Sequence, residues 1–107
     1  MRAIKYAVNN TKNDSDKSED KLPALGLNLS VAQMAYLTSL FYKHGIFRQP
    51  VKARIIETIT QTFSSKETER ISPASFTAKF QRPNDSSVRS IRKLLKGMVE
   101  DADAFLN

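Results

Sequence analysis

Hydrophobic residues recur at helical spacing in four stretches of the chain, whereas residues 9–21, "NNTKNDSDKSEDK", contain none. In the first stretch Val31, Met34, Ala35, Leu37, Leu40 and Phe41 leave little polar face, which predicts a central helix over 31–43. "SVAQ" matches a capping box, with Ser30 at the N-cap and Gln33 reaching back, and Gly45 suits a left-handed stop. The second stripe, Val51, Ile55, Ile56, Ile59 and Phe63, predicts a helix over 51–63 with Pro50 near its first turn. Its β-branched residues do not alternate with polar ones, so helix is favoured over strand.

The third helix is bounded by its own local chemistry. In "ISPASFTAKFQRP" Ser72 is an N-cap, Pro73 occupies the first helical position, and Ile71 and Phe76 are spaced as a hydrophobic staple. Phe76 and Phe80 share the buried side, and Pro83 disfavours helix at Arg82, so the helix spans 73–82. The fourth helix, expected over 87–106, carries a seam of Val88, Ile91, Leu95, Met98, Ala102 and Phe105 that would brace the domain. Leu94, Val99 and Leu106 widen it. Between the second and third helices "SSKETER" reads as a polar loop. The fold class is all-α, a compact four-helix domain over 22–107 with a helix-turn-helix-like unit formed by helices two and three. A flexible polar arm, residues 1–21, would precede it, because such a stretch lacks the apolar surface to offset its ordering entropy.

Charge sharpens this picture. The chain of 107 residues has a formal charge of +6. Residues 43–96 hold twelve basic side chains against four acidic ones, a local balance of +8, while residues 1–30 hold five against four. A basic middle between near-neutral ends points to a polyanionic partner, the alternative being a merely solvated surface. The chain has no Cys, which excludes disulfides and thiol chemistry and fits a cytoplasmic setting. No apolar run is long enough to span a bilayer, and the N-terminus is not a secretory signal, so no membrane partner is expected.

Catalytic chemistry finds little support. His44, the one histidine, sits at a helix end where it complements the dipole, and the carboxylates lie in polar or terminal segments. No metal-ligand spacing and no phosphate-cradling glycine loop occurs, so no enzyme, metal or cofactor is expected. The third helix suits nucleic acid better. With its phenylalanines inward, its outer arc carries Ala74, Ser75, Ala78, Gln81 and Arg82, flanked by Thr77 and Lys79, with no acid to repel phosphate. Opposite the seam of the fourth helix lie Arg89, Lys93 and Lys96, with Arg92 at the flank. Ser75, Thr77, Lys79, Gln81, Arg82, Arg89, Arg92, Lys93 and Lys96 are therefore the candidate nucleic-acid-binding residues. An ordinary amphipathic surface helix would look similar, and nearby acids such as Glu100 would screen the basic cluster.

"LSVAQMAYLTSLFYKHGIF", "FSSKETERISPASFTAKF" and "RSIRKLLKGMV" together resemble the C-terminal domain of RteC-type regulators, which control excision genes of conjugative transposons. The resemblance covers roughly residues 29–106. It implies a winged-helix-like domain of a mobile genetic element that binds double-stranded DNA upstream of the genes it activates. The helix 73–82 would be its recognition helix, supported by the second helix. The reading is thus a DNA-binding transcription regulator domain, with the recognition helix on base edges and the fourth helix on phosphates. The alternative is a helical protein–protein interaction or dimerisation module, with Leu94, Val99 and Leu106 as the contact. A homodimer through the fourth helix is compatible with either.

Overall fold

Ser30 and Gln33 close the start of the first helix from both directions. The structure, a computed structural model, describes residues 23–107, so the arm expected at 1–21 lies outside the described residues. In it Ser30 Oγ accepts the Gln33 amide at 3.1 Å while Gln33 Oε1 accepts the Ser30 amide at 2.8 Å. These bonds satisfy two of the donors that a helix N-terminus leaves unpaired. Helix α1 runs Val31–Lys43 and ends in a Schellman motif: Ile46 N–H donates to Phe41 O at 2.9 Å and Gly45 N–H to Tyr42 O at 3.3 Å. Gly45 takes φ 71°, the left-handed conformation that this ending requires.

Helix α2 spans Lys52–Thr62, α3 Pro73–Gln81 and α4 Asp85–Leu106, so the four expected helices are present with ends shifted by a few residues. Each shift has a local cause. Pro50 lies outside α2, because Val51 is its N-cap. Helix α4 starts at Asp85 rather than 87 because the Asn84 side chain, not a following serine, caps it, accepting the Ser87 amide at 2.8 Å. Helix α2 stops at Thr62 because Phe63 and Ser64 form a two-residue strand, β2, which pairs in parallel with β1, Leu25–Gly26. Two residues are too few to show alternation, and this strand pair was not expected from the sequence.

The pairing continues past the strands. Leu27 N–H donates to Ser64 O, Lys66 N–H to Leu29 O, and Glu67 Oε1 accepts the Val31 amide at 3.1 Å. The entry to α1 and the exit from α2 are thereby stitched side by side. Ser65 organises the rest of the link, its hydroxyl oxygen accepting the amides of Glu67 and Thr68 at 3.0 Å each.

The core gathers Val31, Met34 and Ala35 of α1, Ile56 of α2, Ile71 and Phe76, with Leu27, Leu29, Ile59, Phe63 and Phe80 packed around it. Helix α1 is central: α3 and α4 both pack on it, and α2 packs on α3. Tyr42 ties three helices together, its ring edge-on to Phe80 at 6.1 Å and under the Lys52 ammonium at 5.4 Å.

Helix α4 departs from the expected brace. Ile91 is fully buried and Val88 and Leu95 are half-buried, but Met98 is 52 % exposed and Phe105 89 % exposed. The reason is length. At 1.5 Å per residue α4 spans about 33 Å, whereas α1, the helix it rests on, spans about 20 Å. The seam therefore continues beyond the body that was expected to bury it.

Candidate nucleic-acid interface

Helix α3 is held from both ends. Ser72 Oγ accepts the Ser75 amide at 3.3 Å, Pro73 opens the first turn, and the Arg82 N–H donates to Ala78 O at 3.0 Å. Ile71 and Phe76 are both buried, as a staple requires. Anchoring Phe76 in the core turns Ala74, Ala78, Gln81 and Arg82 to solvent. Ser75, Thr77 and Lys79 are half-buried at the flanks.

The polar flank is already engaged. Lys79 Nζ donates to Ser75 Oγ at 3.1 Å, and Thr77 Oγ1 donates to the Pro73 carbonyl at 2.7 Å. Of the residues singled out on this helix, Gln81 and Arg82 are open to solvent, while Ser75, Thr77 and Lys79 would have to exchange a bond within their own helix. The small side chains of Ala74 and Ala78 leave the rest of the exposed arc low, so a flat partner can approach the backbone there.

Helix α4 contributes the denser charge. Arg89, Arg92, Lys93 and Lys96 are all exposed and line one shallow depression together with Gly97 and Glu100. Arg89/Lys93 and Arg92/Lys96 are four residues apart on one helix, a spacing at which like charges cost a few tenths of a kcal/mol per pair. Glu100 at the end of the depression is the one acid among its walls.

Not all candidate residues meet. The four α4 bases share a depression to which α3 contributes no residue, and α3 and α4 are each packed on α1. Helix α2 does pack against α3, but through the long link 63–72 in place of the three- to four-residue turn of a helix-turn-helix. His44 is the exposed C-cap of α1, its N–H donating to Leu40 O at 3.0 Å. Among the described residues no group of three or more His, Asp or Glu could hold a metal ion, and no helix is long and apolar enough to cross a membrane.

The sequence reading missed two features. One is the stitching of residues 63–67 to 25–31, signalled only by Gly26 and the serine pair Ser64–Ser65. The other is the exposure of Met98 and Phe105, which the seam pattern assigns to the brace; Leu94, Val99 and Leu106, read as an outward contact, are exposed. Compared with family models, with curated proteins and with solved structures, the chain has no match.

Proposed function

We propose that this chain is a DNA-binding domain of a transcription regulator. The basic depression of α4 sits on duplex phosphates, and the exposed arc of α3, with Gln81 and Arg82 at its C-terminal end, approaches the groove. The observation that carries this reading is the gathering of Arg89, Arg92, Lys93 and Lys96 around one depression. A cluster of like charges on a single helix is unfavourable alone and is relieved by an anionic partner that releases its counterions. The absence of any acid on α3 supports the same partner. The resemblance to RteC-type regulators extends the proposal to the cytoplasm and to the control of a mobile genetic element. In this reading the domain binds and does not catalyse.

A salt titration of binding to random duplex DNA tests this. Affinity should fall steeply, and each of Arg89→Ala and Lys93→Ala should weaken all sequences alike while lowering the log–log slope by about 0.9. Gln81→Ala should instead change preference among sequences. No duplex binding at low salt, or binding indifferent to Arg89 and Lys93, overturns the reading.

A second reading rests on a different observation. Leu94, Met98, Val99, Phe105 and Leu106 of α4 are exposed by 38 to 89 %, a row of apolar side chains that nothing in the described chain covers. Such a row marks a protein contact. In that reading the domain is a helical interaction module, and it binds no nucleic acid.

A further inference from the structure

We infer that the uncovered end of α4 pairs with the same segment of a second copy of this chain, the two helices running antiparallel. This deepens the interaction-module reading by naming the partner. It is also compatible with a domain that binds DNA.

The docking surface has two parts. Between α1 and α4 lies a groove of about 550 Å³, floored by Tyr36, Leu40, Val88, Leu95 and Val99 and rimmed by Arg92, Lys96 and one acid, Glu100. Beyond it the apolar stripe runs on through Met98 to Phe105, 89 % exposed, and Leu106, 80 % exposed. One end of the helix is thus a receptacle and the other a plug. A two-fold axis across the stripe places each plug at the partner's receptacle, as an isologous interface requires.

The groove sets the direction, and charge agrees with it. On a 100° wheel Arg92, Lys96 and Asp103 fall on the same flank of the stripe, the bases toward the N-terminal end and the acid two turns beyond Lys96. In an antiparallel pair like flanks face each other, so Arg92 and Lys96 of one protomer meet the partner's Asp103, and the reverse. In a parallel pair the two plugs would lie side by side and neither would reach the partner's groove. Area is sufficient. The five exposed side chains offer on the order of 500 Å² of apolar surface per protomer, which brings a pair to the ~1,000 Å² that a specific interface needs.

The division of labour among the bases follows. Arg92 and Lys96 belong to both the groove and the basic depression; Arg89 and Lys93 do not line the groove, and of these two Lys93 also adjoins Leu94 and Met98 whereas Arg89 does not. The dimer contact and the phosphate contact can therefore be separated by mutation.

Sedimentation equilibrium of the full chain should show a concentration-dependent dimer. Phe105→Asp with Leu106→Asp should raise the dissociation constant at least tenfold with the helical circular dichroism unchanged, because two side chains this exposed contribute little to the monomer. The doubly substituted Arg92→Glu, Lys96→Glu chain and the Asp103→Lys chain should each pair at least tenfold more weakly, and an equimolar mixture of the two should pair like the unmodified protein. Phe105→Cys, in a chain with no other cysteine, should not form a disulfide with its own copy under mild oxidation. A protein that stays monomeric at high concentration, a mixture that does not recover, or ready self-crosslinking of Phe105→Cys overturns the inference. Because duplex binding is titrated separately, a monomer that binds DNA sinks the pairing alone, and a dimer that ignores DNA sinks the DNA-binding reading alone.

Discussion

Two glycines in this chain face opposite consequences from the same substitution. Gly45 sits at φ 71°, and a Cβ built on it would touch nothing within 4 Å. Space is therefore not the constraint. Backbone conformation is, and an L-residue in the left-handed region costs about 1–2 kcal/mol. Gly45→Ala should lower the thermal midpoint by several degrees, and Gly45→Asn by less, since Asn tolerates that region. Gly97 lies inside α4, also with open space around its Cβ position. There the glycine only adds unfolded-state entropy, so Gly97→Ala should stabilise by about 0.5–1 kcal/mol. Thermal unfolding followed by circular dichroism reads both signs. Phe76, with no exposed surface, is the residue whose loss should hurt most: Phe76→Ala should cost about 3–5 kcal/mol in denaturant titration.

At the scale of elements, the ends of helices are local matters and their junctions are not. The capping box at Ser30, the staple at Ile71 and Phe76, and the stop at Gly45 each use residues within six positions of one another, so they are legible along the chain. The start of α1 has a further support that is not. Glu67, thirty-six residues on, places its carboxylate on the Val31 amide, where it also faces the positive end of the helix dipole. Glu67→Ala should destabilise by roughly 0.5–1 kcal/mol and Glu67→Gln by less, because the amide oxygen keeps the hydrogen bond and loses the charge. Helix α4 poses the opposite case. Past Leu95 every residue of α4 is exposed among the described residues, so in dilute protein the amides of residues 98–106 should exchange faster than those of 88–95. Raising the concentration should slow them selectively if the helices pair, a readout by hydrogen exchange that needs no mutation.

At the scale of the molecule, the arrangement of α3 and α4 around α1 separates three surfaces. One is the exposed arc of α3, one the basic depression, and one the apolar groove with its extension. Arg92 and Lys96 border both the second and the third, whereas Arg89 and Lys93 do not line the groove, so the two contacts can be weakened one at a time. Arg89→Ala with Lys93→Ala should lower nucleic-acid affinity and leave the dimer constant alone, while Phe105→Asp with Leu106→Asp should do the reverse. If both pairs of changes move both measurements together, the surfaces are not separable and the division proposed for α4 is wrong.

The number, order and approximate bounds of the helices were decided by the sequence itself, because apolar periodicity and capping act over a few residues and need no partner. The gathering of four bases on α4 was legible for the same reason, since one regular helix places residues 89, 92, 93 and 96 on adjoining sides wherever it sits. What only tertiary structure decided was where each helix lies against its neighbours. The β1–β2 stitch depends on two segments far apart in the chain. The exposure of Phe105 and Leu106 depends on α1 being shorter than the helix it supports. A hydrophobic pattern records that a face prefers cover; it does not record which element of the fold lies against it.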